Sequence, residues 1–132
     1  MLIRIDPGSD VALFAQVAAS LRGEMAQGRL RPGDRLPAAR EVGTSLGVNL
    51  HTVLRAYQDL RDEGLVDMRR GRGAVVTPRA AALSDLRAEI LALGDRARAL
   101  GMTADTLASL VRDSLSDGQP GTGWPEGPRE QV

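Results

Sequence analysis

The stretch "GVNLHTVLRAYQDLRDEGLV", residues 47–66, decides the fold. Val53, Ala56 and Leu60 recur at the spacing of one helical face, so they can anchor a helix to a core. His51, Thr52 and Arg55 lie on other sides near the start of that helix, and Asn49 is suited to cap it. Gly64 ends the pattern. A helix with an apolar back and a polar front bearing one long cation is either an ordinary surface helix or one that enters a DNA groove. The neighbouring elements decide between the two.

Upstream, residues 38–46 read as a short helix that stops at Gly47, a residue suited to a left-handed C-terminal position. The preceding "LRPGDRLP" (residues 30–37) reads as loop, with a tight Pro-Gly turn and with Pro37 placed for the first turn of the short helix. Before it, "LIRID" alternates like a strand and Pro7-Gly8 marks a turn. Asp10 is a candidate N-cap for a first helix carrying Leu13, Phe14, Val17, Leu21 and Met25, which should stop near Gly28. Downstream, "LVDMRRGRGAVVTP" predicts two short strands around a basic tip, Arg69 to Gly73.

Helix, short helix, tight turn, helix and β-hairpin follow one another. The expected fold is therefore mainly α with a small β-hairpin: a winged helix-turn-helix spanning residues 10–78. In that arrangement the helix after the turn can enter the major groove, and residues near its N-terminus reach base edges. Asn49, His51, Thr52 and Arg55 occupy that first turn and a half. Arg69, Arg70 and Arg72 can meet phosphates or the minor groove, with Gly71 and Gly73 permitting close approach.

The remaining chain differs. Leu83, Leu86, Ile90, Leu93, Ala97 and Leu100 form one helical stripe, in which Gly94 is a weak point. Gly101 ends it, Thr103 caps another helix, and Leu107, Leu110, Val111 and Leu115 form its stripe. Two such faces exceed what the pair can bury alone, so residues 79–117 read as a short two-helix dimerisation extension. Residues 118–132 hold four Gly and three Pro and read as a disordered tail.

Composition agrees once it is divided. The chain of 132 residues has 17 basic and 17 acidic residues, and all the basic ones are Arg. Residues 1–79 carry 12 Arg against 9 acids; the rest carries 5 against 8. Net neutrality is thus no argument against a basic face, because binding to phosphates needs local charge. The absence of Cys excludes disulfides and thiolate metal sites. No segment resembles a signal peptide or a membrane span, and a cytoplasmic protein is expected.

"GDRLPAAREVGTSLGVNLHTVLRAYQDLRDEGLVDMRRGRGAVV", within residues 11–78, resembles the DNA-binding domain of the GntR family of bacterial transcription regulators. The family pattern is G-x-x-L-P-S-x-R-x-L-A, then G-V-x-x-x-T-V, L-x-x-E-G-L-V and R-x-G-x-G-x-x-V. "VLRAY" and the short helical extension resemble its YtrA-like subfamily. The resemblance implies DNA contacts at Arg40 on the second helix, at Asn49, His51 and Thr52, and at Arg70, Gly71 and Arg72 on the wing. Arg55 matches the subfamily's R-A-Y. It further implies a homodimeric repressor of an inverted-repeat operator that controls its own operon and transporter genes. Three positions depart from the pattern: Ala38 stands for Ser, Gly43 for Ala, and Leu50 for Arg or Pro. Gly43 is expected to loosen the second helix by about 1 kcal/mol relative to Ala.

Several individual residues admit a plainer reading. His51 is the only histidine and lacks metal-ligand company, so neither metal nor cofactor is expected. Tyr57 reads as core-facing, and Glu41 as a carboxylate that orients Arg40 or Arg55. A winged-helix module that docks on an acidic protein partner is the main rival. An enzyme is disfavoured, because no acid, base and nucleophile converge. With no large ligand domain after the wing, a small-molecule effector would have to act through the helical extension or a pocket between chains.

Overall fold

A computed structural model of the chain describes residues 3–117; the stretch expected to be a disordered tail lies outside the described residues. They divide into two compact units between Glu89 and Ile90.

The first unit contains α1 (Leu13–Ala26), α2 (Ala39–Leu46), α3 (Leu50–Asp62), β1 (Val66–Arg69) and β2 (Gly73–Val76). α1 buries Val17, Ala18, Leu21 and Met25, and α3 buries Val53, Ala56, Tyr57 and Leu60. Val42 of α2 and Leu65, Val66, Ala74 and Val76 of the hairpin close the same core. Aliphatic side chains supply nearly all of it, as the scarcity of aromatics requires. β1 and β2 pair antiparallel, from Val66↔Val76 to Arg69↔Gly73, in the expected hairpin. Arg72 N–H donates to Arg69 O at 3.0 Å and closes its tip, with Gly71 at φ 79°. That is the third turn position, where positive φ favours glycine.

Three local readings are corrected. The "LIRID" alternation does not make a strand: residues 3–6 form no regular element and pair with no strand. Ile3 and Ile5 still pack on the core, and side chains of α1 replace the missing ladder. Arg4 N–H donates to Ser20 Oγ at 3.0 Å and Asp6 N–H to Gln16 Oε1 at 2.6 Å. Nor does Asp10 cap α1, which starts after Ala12 with no side-chain cap. Gln16 holds that entry instead, its Nε2 donating to Val11 O at 2.8 Å and Asp6 O at 3.0 Å. The "LRPGDRLP" segment is more than loop. Gly33 N–H donates to Val76 O, Val76 N–H to Asp34 O and Leu36 N–H to Ala74 O, each at 2.8 Å, so the chain runs beside β2 before α2 begins.

The turn between α2 and α3 is tight. Gly47 is left-handed at φ 70°, and Val48 N–H donates to Gly43 O at 2.9 Å. A methyl group on Gly43 would stand 3.0 Å from the Val48 carbonyl oxygen. The helix propensity lost at Gly43 is therefore set against a close backbone approach at the turn.

At the far end of α3, Gly64 has φ 81° and the chain leaving the wing grips the helix terminus. Thr77 N–H donates to Leu65 O at 3.0 Å, Thr77 Oγ1 to Gly64 O at 2.5 Å, and Arg79 Nη1 to Glu63 O at 3.3 Å. A 3₁₀ turn (Pro78–Ala80) then leads into α4 (Ala81–Ala99), which runs unbroken past Gly94. Ala80 is buried and Leu83 packs on the first core.

The second unit holds the end of α4 and α5 (Ala104–Asp117), parted by Gly101 at φ 74°. Thr103 Oγ1 accepts from Thr106 N–H at 3.2 Å, the expected cap. Leu86, Ile90 and Leu93 on α4, and Leu110, Val111 and Leu115 on α5, are exposed.

Candidate nucleic-acid interface

α3 starts on a side-chain cap: Asn49, itself extended, accepts from His51 N–H through Oδ1 at 2.7 Å. This satisfies one of the donors that a helix start leaves unpaired, and it leaves the Asn49 amide NH₂ to serve as a donor. Asn49 and His51 are exposed and Thr52 is half-buried beside them. The back of the same helix is anchored by Val53, Ala56 and Leu60, each fully buried. The polar front is therefore held by an apolar back, as the spacing predicts.

Tyr57 is buried too, as expected, and ties α3 to the entrance of α2. Its hydroxyl donates to Pro37 O at 2.6 Å. Burial, reinforced by the negative charge of Glu41, pushes its phenol up to about 12. Glu41 does not take the role expected of it, since among the described residues it forms no ion pair with Arg40 or Arg55. Arg55 is held by something else. Its Cζ stands 3.7 Å from the centroid of the Phe14 ring, a cation–π stack that joins α3 to α1. Phe14 reads from the sequence only as a core position, because nothing local links two residues 41 apart.

Arg40 is exposed in the first turn of α2, and Arg70, Gly71 and Arg72 are exposed at the wing tip. Among the described residues Arg69 pairs with Asp67 at 3.8 Å, whereas no carboxylate holds Arg40, Arg55, Arg70 or Arg72. Guanidinium groups left without internal counter-charges are available to an external anion. Arg72 also lines a cleft of about 310 Å³, together with Pro37 and Ala39 at the start of α2, Leu54 of α3 and Met68 of β1. The helix-turn-helix and the wing thus share one concave margin.

Among the described residues there is no cluster of three or more potential metal-ligating side chains. No described helix is long and apolar enough to cross a membrane.

Comparison with known proteins places this geometry. The family of bacterial regulatory proteins called gntR matches residues 13–76. The HTH-type transcriptional repressor YtrA of Bacillus subtilis (strain 168) is 35% identical over 79 residues, covering 60% of this chain and 61% of that protein. The chain thus spans less than two thirds of this relative's length. YtrA from Sulfolobus acidocaldarius, a GntR-family transcription factor of solved structure, is 35% identical with a TM-score of 0.56, covering 75% of this chain and 99% of that one. The DNA-binding domain of AraR, solved in complex with its operator ORX1, aligns at 29% identity and a TM-score of 0.50, covering 56% of this chain and 92% of that one.

Proposed function

Since this chain belongs to the gntR family of bacterial regulatory proteins, we propose that it is a DNA-binding transcription regulator, a homodimeric repressor that reads an inverted-repeat operator. The observation that carries the reading is the exposed polar start of α3, set on a fully buried apolar back and flanked in the same unit by a wing whose tip exposes Arg70 and Arg72. Asn49, His51 and Thr52 meet base edges in the major groove, and Arg55 contributes the long cation of that helix. Arg40 contacts the phosphate backbone from α2, while Arg70 and Arg72 do so from the wing, with Gly71 letting the tip come close. The AraR domain bound to its operator supports DNA as the partner of this fold.

Residues 79–117 pair two copies through the exposed Leu, Ile and Val side chains of α4 and α5. Two recognition helices then address half-sites about one helical turn apart, and occupancy of the operator blocks the promoter. The likeness to a transcriptional repressor supports repression, and control of the chain's own operon together with transporter genes is proposed as what the subfamily resemblance implies.

Selection from a random duplex library by the full chain tests the reading. Enrichment of one inverted repeat, bound with a steep salt dependence, is expected; weak binding of any sequence would refute it. Ile90→Glu and Leu110→Glu, measured by sedimentation, test the pairing. Each should yield a monomer, and a dimer that survives both would place the interface elsewhere.

A further inference from the structure

We propose that Phe14 is a positioning residue for DNA recognition: its ring is the platform that orders Arg55 before DNA arrives. The proposal rests on the reading of α3 as the recognition helix and gives that helix a supporting partner from outside it. Arg55 is exposed, and an unrestrained arginine there would sample many rotamers. Its guanidinium instead lies 3.7 Å from the centroid of the half-buried Phe14 ring.

The chemistry of the stack decides what it leaves available. A guanidinium is planar, and its five N–H donors radiate in that plane. Packing one face on an aromatic ring therefore uses none of them. An ion pair with Glu41 would have consumed donors and neutralised the charge; the ring does neither. Phe14 sits in the first turn of α1, and the core side chains of α1 and α3 are buried in the same cluster. The platform is therefore fixed to the same rigid body as the helix it serves. Ordering a long side chain in advance reduces the entropy lost on binding, which is how a residue that touches no DNA can raise affinity.

The test is a double-mutant cycle in the full chain, read by fluorescence anisotropy on the duplex that the wild-type protein enriches from a random library. Phe14→Leu keeps the bulk and removes the π face; Phe14→Tyr keeps the face. Phe14→Leu should weaken binding about two- to fivefold, the range of an exposed cation–π contact, and Phe14→Tyr should bind as the wild type does. In an Arg55→Ala background, Phe14→Leu should cause no additional loss. Melting temperatures identify any variant whose folding has changed. A loss on Phe14→Leu that persists undiminished without Arg55 would make Phe14 merely structural and overturn the proposal. Full affinity of Phe14→Leu alongside weak binding by Arg55→Ala overturns the platform and leaves the recognition helix standing. Full affinity of Arg55→Ala removes Arg55 from the interface, and the proposal falls with that assignment.

Discussion

The cap that Asn49 makes and the DNA contact proposed for it can be separated by substitution. Its Oδ1 accepts from His51 N–H at 2.7 Å and caps α3, while its NH₂ group is assigned to the operator. Asn49→Ala removes both. Loss of a side-chain N-cap costs about 1 kcal/mol, within a range of roughly 0.5–2. In a unit of this size that corresponds to a fall in melting temperature of about 4–8 °C. Asn49→Ser retains an oxygen for the cap and discards the amide donor. It should melt within about 2 °C of the wild type and still lose roughly tenfold in operator affinity, the scale of one base contact. Asn49→Asp sharpens the contrast. Its carboxylate caps at least as well and lies favourably at the positive end of the helix dipole, so the protein should be no less stable. Facing phosphates, the same charge should weaken binding by more than tenfold, and most severely at low salt, where repulsion is least screened. Circular dichroism melts and anisotropy titrations at two salt concentrations read both quantities. If Ser and Ala variants melt together, the cap is not what holds the start of α3. If Asp binds as well as Asn, residue 49 does not face DNA.

Further predictions address the anchor, the core and the wing. Tyr57→Phe deprives the Pro37 carbonyl of its partner and should cost about 0.5–1.5 kcal/mol in urea unfolding; no change would mean that the hydrogen bond adds nothing. The chain has one tyrosine, so its phenolate absorbance reports a single site and should appear only near pH 12. An unfolded tyrosine titrates near 10, so the folded state holds this proton more tightly. The associated stability is complete below about pH 10 and is lost as pH rises toward 12; phenolate formation near 10 in the folded protein would contradict this. Leu60→Ala empties a fully buried site and should cost about 2–5 kcal/mol, leaving the operator affinity of the folded fraction unchanged. Arg72→Ala should weaken binding to all duplexes alike and lower the slope of log K against log salt by about 1; a sequence-selective loss would make Arg72 a base reader instead.

The parts of this molecule legible in its sequence are those where pattern and chemistry lie close together along the chain. The anchoring face of α3, its Asn49 cap, the Gly47 terminus of α2 and the wing all follow from spacing within a few residues. What escaped depends on partners far away. Residues 3–6 alternate as a strand would, yet their N–H groups meet Gln16 and Ser20 of α1, which no strand periodicity reveals. The segment beside β2, residues 33–36, reads as loop because Gly33 and the flanking Pro32 and Pro37 dominate the local signal, whereas its partners come 38–43 residues later. At the candidate site, Asn49 and His51 were legible in this sense, but the restraint on Arg55 was not. A neighbouring acid looks like the natural partner of an arginine; only the packing of α1 on α3 supplies Phe14 instead.

The grip of Thr77 and Arg79 on the end of α3 gives the chain a second route across the wing. Covalently, α3 reaches α4 only by travelling out along β1, around three exposed arginines and back along β2. Those arginines are natural trypsin sites, and a cut between them would sever the backbone. The Thr77 and Arg79 contacts, the β1–β2 ladder and the shared core would still hold the two fragments together. A nicked protein would therefore travel as one species under native conditions and separate only in denaturant. The wing is a loop of polypeptide that the fold can lose as a connection while keeping both of the helices it connects.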